Sequence, residues 1–212
     1  MIVKKNQKPS NEGSNNEENG RLFFHKGWRS ISISGEIHWQ LADELFNVLR
    51  DFESRLSRKP LTIYINSEGG DTYDMFKIYD HIKNSPLPIV TVVAGLALSA
   101  GFIIFLAGDL RKAFPNAILG FHGPTTYFCD GDSEGPVEAA ELAFHQNRVL
   151  NTLVKIVKDN SNMPERIIRK YFSILTRINV ETALKFSLVH QVINPPKKVL
   201  PKSWTKILKE RN

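Results

Sequence analysis

The chain has 212 residues, of which 42% are hydrophobic, and this suits one globular domain with a full core. It carries 28 basic and 22 acidic side chains, a net charge of +6, but six basic residues and one acid after Pro196 supply +5 of that excess. The body is therefore near neutral, which argues against nucleic acid as a partner. The single cysteine, Cys129, excludes an internal disulfide.

The sequence indicates neither export nor insertion into a membrane. Residues 1–3 are apolar but run at once into Lys4 and Lys5, unlike a signal peptide. The two longest apolar stretches, 89–100 and 102–107, are each shorter than the roughly 20 residues of a membrane-spanning helix. We therefore expect a cytoplasmic protein without a membrane partner.

Composition and periodicity divide the chain into three parts. Residues 1–27 are predicted to form a polar, disordered arm, residues 28–194 a folded domain, and residues 195–212 a basic tail. Inside the domain the hydrophobic period switches between that of strands and that of helices. In chain order it predicts strand 29–34, helix 41–56, strand 61–65, turn 66–70, helix 75–82, strand 88–93, turn 94–97, helix 99–107, strand 117–121, helices 136–158, 164–174 and 180–187, and strand 189–193. This alternation indicates an α/β fold with right-handed crossovers.

Three segments at strand ends carry residues suited to chemistry. In residues 67–71, SEGGD, paired glycines allow a turn whose N–H groups can hold an oxyanion, although a plain turn is the commoner use. In residues 95–101, GLALSAG, Ser99 opens an apolar helix either as a cap or as a hydroxyl lifted into a cleft. His122 follows strand 117–121 and precedes Gly-Pro, which predicts a position at the opening of a cleft and not in the core. Without the other two segments, a surface histidine would be the simpler interpretation.

Together the three segments supply the parts of an acyl transfer. Ser99 would attack a carbonyl carbon, and His122 would take its proton and return it to the leaving amine. The backbone N–H groups of Gly70 and Ala100 would stabilise the tetrahedral oxyanion. No histidine, cysteine or acid cluster has metal-ligand spacing, so we expect neither a metal nor an organic cofactor.

These segments resemble ClpP, the proteolytic subunit of Clp proteases and an S14 peptidase. Residues 63–82, IYINSEGGDTYDMFKIYDHI, are similar to its INSPGG…IYD segment, residues 92–108 to its G-x-A-x-S-x-(G/A) nucleophile motif, and residues 113–124 to its PN…HQP histidine segment. The resemblance covers about residues 29–194. It implies an α/β, ClpP/crotonase-type fold of repeated ββα units with an inserted handle strand and helix.

The resemblance also implies an activity and partners. Members of the family are serine endopeptidases that enclose their active sites in a homo-oligomer, usually a heptameric ring or stacked rings. Their substrates are unfolded polypeptides, threaded in by an AAA+ ATPase. The resemblance therefore implies a hydrolase that cleaves peptide bonds at Ser99 with His122 as general base.

The sequence departs from the family at several positions. The family's third triad member is an aspartate, and alignment places Ile174 or Leu175 there, with Ser173, Thr176 or Asn179 as possible substitutes. Three further differences bear on ring stacking and ATPase docking. Glu68 replaces a proline in the oxyanion turn, and the N-terminal arm is polar where the family has apolar axial loops. The handle segment carries acidic residues typical of a solvated loop, Asp130, Asp132 and Glu134.

Three alternatives remain at this point. The missing aspartate favours a weak or inactive paralogue that assembles with an active subunit. A crotonase-like acyl-CoA enzyme would share the fold and the glycine-rich turn but would use carboxylates for acid–base work. A relative of signal-peptide peptidases would need a lysine base, and Lys112, the candidate by position, reads as a surface charge at a strand end.

Overall fold

The computed structural model of the protein describes residues 20–24, 29–55, 59–124 and 135–194. The basic tail, most of the polar arm, Cys129 and the acidic loop residues Asp130, Asp132 and Glu134 lie outside these ranges. The elements are, in chain order, β1 (Arg21–Phe24), β2 (Ser30–Ile37), α1 (Trp39–Ser54), β3 (Leu61–Gly70), α2 (Thr72–Lys83), β4 (Ile89–Leu98), α3 (Ala100–Leu106), β5 (Leu110–Ala113), β6 (Ile118–Phe121), α4 (Pro136–Asp159), α5 (Glu165–Phe172), β7 (Thr176–Asn179), α6 (Val180–Lys185) and β8 (Gln191–Val192).

The strands in the described ranges form one sheet whose centre is parallel. Strands β2, β3 and β4 run parallel, β1 pairs antiparallel with β2, and β5 and then β8 continue parallel beyond β4. Strand β4 changes partner along its length, because residues 90–93 pair with β5 whereas residues 96–98 pair with β6. Strand β7 pairs antiparallel with β6. The change of partner brings the end of β4 beside the end of β6.

The helices cover the sheet with apolar stripes. Buried and more accessible residues alternate along β3, as expected when one face of a strand meets the core. Helix α3 is buried at every position and contacts β3, β4, α2 and α4, so only an apolar sequence can fill it. None of the helices in the described ranges is long and apolar enough to cross a membrane. The buried stripe of α1 consists of Leu41, Ala42, Leu45, Val48, Leu49 and Phe52.

Two segments that we predicted as turns are extended. Residues 66–70 belong to β3 and residues 94–97 to β4. Positive φ angles of 120° at Gly69, 147° at Gly70 and 113° at Gly95 accommodate local irregularities without ending either strand. The glycines there permit close approach of neighbouring chain: a β-carbon on Gly70 would lie 2.1 Å from the carbonyl oxygen of Ile37.

Three further strands were not predicted. Strand β1 lies inside the predicted arm, so the folded part begins before the expected boundary at residue 28. Its short apolar run is stabilised by antiparallel pairing with β2 rather than by a pattern of its own. Strands β5 and β7 have the sequences LRKA and TRIN, whose charged residues hide any alternation.

Arg111 in β5 joins three separate parts of the chain. It is only 6% exposed, yet it lies against backbone carbonyls rather than a carboxylate. Its guanidinium donates to the carbonyl oxygens of Leu188 at 2.8 Å, Asn160 at 2.8 Å, Ser187 at 2.9 Å and Gly108 at 3.5 Å. These bonds fasten the end of α4 and the segment between α6 and β8 to the sheet, and they satisfy a buried charge.

Candidate active site

A cavity of about 450 Å³ lies where the ends of β3, β4 and β6 meet. Its wall includes Ser99, His122, Gly70 and Ala100, which are the four site residues that the sequence predicted. Gly70 ends β3, Ser99 and Ala100 form the step from β4 into α3, and His122 follows β6. The topology therefore brings residues more than 50 positions apart to one wall.

Ser99 has an unusual backbone conformation for a residue with a side chain. Its φ of 50° and ψ of −120° lie outside the regions that L-residues favour, and such strain persists only where neighbours hold it. The Ser99 N–H donates to the Gly120 carbonyl at 2.9 Å, and its carbonyl accepts from the N–H groups of Phe102 and Ile103 at 3.1 and 3.3 Å. Its side chain makes no capping bond, so the helix-cap interpretation is wrong.

Gly70 ends β3 at the wall of the cavity. The register pairs Ile37 with Gly70, and the Asp71 N–H donates to the Ile37 carbonyl at 2.8 Å. The bond to Ile37 is thus made by the residue after Gly70, as in a parallel ladder, where a residue bonds to the neighbours of its partner. Ala100 is the first residue of α3, and N–H groups in a first helical turn have no partner within the helix. Gly70 and Ala100 both line the cavity, which makes their N–H groups the candidate donors to a ligand there.

Ser67 supports the strand that ends in Gly70. Its side chain is fully buried, donates to the Gly35 carbonyl at 2.6 Å, and accepts from the Gly69 N–H at 3.1 Å. The pairing of β2 with β3 shifts register next to Gly35, and that of β3 with β4 shifts between Ile65 and Ser67. The hydroxyl thus satisfies backbone groups that these irregularities leave without a ladder partner.

His122 stands on a rigid strand end. The preceding Phe121 is 1% exposed, stacks on Phe102 with ring centroids 4.7 Å apart, and packs edge-to-face against Phe172 at 4.8 Å. The imidazole Nδ1 of His122 lies 2.7 Å from the carbonyl oxygen of Gly123. In the described part of the chain no hydrogen bond joins Ser99 to His122, and such bonds commonly tighten only when substrate binds.

The family's aspartate position, Ile174 or Leu175, lies between α5 and β7. The register of β6 and β7 pairs Phe121 with Thr176. The ladder ends at this pair, and beyond it the Gly123 N–H donates to the Phe172 carbonyl at 2.8 Å. The segment that holds Ile174 and Leu175 is thus joined on both sides to the segment that holds His122. Ile174 and Leu175 are 55% and 63% exposed, and neither has an atom that can bond an imidazole.

The three substitutes that the sequence suggested form hydrogen bonds with partners other than His122. The Ser173 hydroxyl donates to the Lys170 carbonyl at 2.8 Å, and the Thr176 hydroxyl donates to the carbonyl of Tyr171 at 3.2 Å. The Asn179 side chain caps α6. The sequence analysis did not identify two groups that bond within the site, the Ser67 hydroxyl and the Gly123 carbonyl. Neither a single serine in a predicted turn nor a backbone carbonyl produces a recognisable motif.

The rest of the cavity wall is part acidic and part apolar. The Asp71 carboxylate caps α2, accepting from the N–H groups of Tyr73 and Asp74. Burial and this neighbouring carboxylate raise the pKa of Asp74. Lys112 lies within β5 and does not line the cavity, so the structure gives no support to the alternative in which a lysine acts as the catalytic base. The apolar part of the wall consists of Met75, Ile103, Phe121, Leu153 and Phe172, and the remaining acids are Glu36 and Glu68.

Known proteins share this architecture. The sequence model of the Clp protease family matches residues 17–196. The chain is 28% identical over 173 residues to the ATP-dependent Clp protease proteolytic subunit of Deinococcus radiodurans, with 78% of this chain and 80% of that protein covered. It is 30% identical over 169 residues to the ATP-dependent Clp protease proteolytic subunit 1 of Salinibacter ruber, with 78% and 70% covered.

A solved structure gives the same result for the fold. A ClpP1 mutant from Listeria monocytogenes superposes with a TM-score of 0.66 at 28% identity, covering 79% of this chain and 92% of that chain. This likeness confirms the ClpP/crotonase-type α/β fold that the sequence predicted. With the match of the family over most of the chain, it leads to one conclusion: the chain belongs to the Clp protease family.

Proposed function

We propose that the chain is a serine endopeptidase that hydrolyses peptide bonds of unfolded polypeptides, with Ser99 as nucleophile and His122 as general base. The observation that carries the proposal is the Ser99 hydroxyl, held by a strained strand-to-helix step on the wall of a cavity that it shares with His122, Gly70 and Ala100. A strained turn that exposes a serine above a sheet is a recurrent arrangement of hydrolytic nucleophiles.

The chemistry follows from the placing of these groups. The Ser99 Oγ attacks the carbonyl carbon of the scissile bond while His122 Nε2 takes the hydroxyl proton. The N–H groups of Gly70 and Ala100 donate to the oxyanion of the tetrahedral intermediate, and each such donor is worth about 3 kcal/mol of barrier. The intermediate collapses as His122 gives its proton to the leaving amine. Water, deprotonated by His122, then hydrolyses the Ser99 ester.

The wall of the cavity fits a polypeptide substrate. Its apolar side, which includes Met75 and Leu153, can hold an apolar side chain next to the scissile bond. The relatives are named proteolytic subunits of ATP-dependent proteases. We therefore propose that the chain assembles into a homo-oligomeric ring or stacked rings with the sites facing an enclosed chamber, and that an AAA+ ATPase supplies the unfolded chain.

Labelling with a fluorophosphonate tests the nucleophile. The probe reacts with activated serines, so wild type should label and Ser99→Ala should not. The change removes a hydroxyl that makes no capping bond, and the fold should survive it. Ser173→Ala is the matched control, because that hydroxyl lies nearby but donates to a carbonyl within α5, and it should label as wild type does.

The same measurement separates the proposal from its main alternative. If assembled wild-type protein does not label and does not cleave peptides, the chain is an inactive paralogue that works beside an active subunit. Labelling that persists in Ser99→Ala would overturn the nucleophile assignment and leave the peptidase proposal without its serine.

A further inference from the structure

We infer that the backbone carbonyl of Gly123 orients His122 in place of the family's aspartate. The inference rests on the proposed function, because it concerns the general base of that reaction. The aspartate position holds Ile174 or Leu175, and the polar side chains around it bond to partners other than His122. The Nδ1 of His122 has a partner 2.7 Å away in the Gly123 carbonyl. The orienting group is part of the main chain.

The identity of this partner fixes the position of the imidazole proton. A carbonyl oxygen can only accept, so the bond requires a proton on Nδ1 of His122. A neutral imidazole carries one N–H, and Nε2 is then bare and able to take the proton of Ser99. An orienting aspartate selects this same tautomer in a serine triad.

The surroundings hold the carbonyl in place. The Gly123 N–H donates to the Phe172 carbonyl at 2.8 Å, which ties the segment to the end of α5. Pro124 follows and disfavours a helical conformation at Gly123. On the other side Phe121 is fixed by its aromatic neighbours. The carbonyl is therefore fixed before substrate binds, as an orienting group has to be.

A carbonyl supplies only part of what a carboxylate supplies. It selects the tautomer and the ring orientation, but it has no full negative charge to stabilise the imidazolium that forms when His122 takes the proton. The site should therefore turn over more slowly than one with an aspartate while keeping a nucleophilic serine.

Nitrogen-15 NMR of histidine-labelled protein tests the inference. Magic-angle spinning suits an assembly of any size, and the signals of His122 are those that vanish in His122→Gln. At about pH 8, above the ordinary imidazole pKa, we expect His122 to show a protonated Nδ1 and a bare Nε2. His190 is an internal reference of the opposite kind, because its Nδ1 accepts from the Arg111 N–H.

The outcomes for the inference and for the function can be told apart. A His122 protonated on Nε2, or split between both tautomers, would overturn the role of Gly123 whatever the activity. A protonated Nδ1 supports it even if Ser99 fails to react with the fluorophosphonate in the same sample, and that failure would count against the proposed function alone.

Discussion

Gly69 packs directly against Ser99: a β-carbon added to Gly69 would stand 2.6 Å from the Ser99 β-carbon and 3.1 Å from its hydroxyl oxygen. Real β-carbons do not approach each other this closely, so one of the two residues would have to move. Gly69 also has a φ of 120°, which a residue with a side chain rarely adopts. The position of the Ser99 hydroxyl thus depends on the absence of a side chain on the neighbouring strand.

Gly69→Ala should therefore abolish fluorophosphonate labelling. The new methyl group displaces Ser99, and a misplacement of about 1 Å can cost about a hundredfold in rate. Gly135→Ala is the control: its φ is −67°, and the methyl group would meet only the mobile end of Glu138. Labelling of Gly69→Ala at the wild-type rate would show that the nucleophile does not need this contact.

Ser67→Ala should lower kcat by ten- to a hundredfold with little change in KM. The variant loses the hydroxyl that bonds Gly35 and Gly69. The strand end that carries the proposed oxyanion donor, Gly70, is then held less firmly. Thr91→Val serves as control, because the Thr91 hydroxyl is equally buried and donates to the Phe105 carbonyl away from the cavity. Each change should lower stability by about 1 kcal/mol. Steady-state peptide hydrolysis decides, and an equal loss of kcat in both variants would contradict the role of Ser67.

Leu175→Asp should raise peptidase turnover at least tenfold. Residue 175 is one of the two candidates for the family's aspartate position, and its segment is joined to that of His122 by the pairing of Phe121 with Thr176. A carboxylate there can bond Nδ1 and add the charge that the Gly123 carbonyl lacks. Leu175→Asn is the control with the same shape and no charge, and it should give no such gain. Single-turnover cleavage of a peptide ester measures the effect. Equal rates for the two variants would mean that a negative charge at residue 175 does not stabilise the His122 imidazolium.

The stability of the protein should fall below about pH 6.5 in a way that depends on His190. Partial burial, followed by the Arg111 charge, lowers the pKa of His190 below its ordinary 6.5. The folded state thus favours the neutral ring, and its contribution to stability is present above the unfolded pKa and is lost as the pH falls through the lowered folded value.

His190→Asn tests this pH dependence. The amide oxygen of Asn can accept from the Arg111 N–H as Nδ1 does, but it does not titrate. Between about pH 7.5 and pH 5 the Tm of wild type should fall further than that of the variant in calorimetry. Parallel losses of Tm would assign the acid sensitivity to other groups.

Phe144→Glu should yield a smaller assembly than wild type in native mass spectrometry. Val137 and Phe144 on α4 are 67% and 66% exposed, and with Ala140 they follow the spacing of one helical face. An exposed apolar face of this kind marks a contact with another chain. Phe144→Leu keeps the face apolar and should assemble as wild type does, to a multiple of 24.1 kDa. Monomeric wild type would contradict the ring.

The central part of the fold could be read from the sequence because its elements are regular. The stripe of α1 and the alternation in β3 express burial on one face, and periodicity detects that directly. The residues around Ser99 and His122 could be found because a polar residue between apolar segments is conspicuous. Strands β5 and β7 could not, since four-residue strands with charged side chains are stabilised by their partners rather than by their own pattern.

The details of the site were hidden for a different reason. Ser67 reads as one polar residue of a turn, and only the register shifts on both sides of it show why a hydroxyl is needed there. The bond from His122 to Gly123 involves a main-chain oxygen that every residue possesses. Such contacts depend on the path of the chain, which periodicity and motif spacing do not describe.

Arg111 illustrates what a main-chain contact implies for evolution. Its four acceptors are backbone oxygens, so substitution of the side chain at Leu188, Ser187 or Asn160 leaves the bonding atoms in place. For these bonds only the arginine side chain is required, because its five donors in a planar fork reach carbonyls from three directions. Substitutions at the partner positions are therefore limited by their own packing, such as the full burial of Leu188, and not by the bonds to Arg111, whereas a change of Arg111 itself removes all four bonds at once.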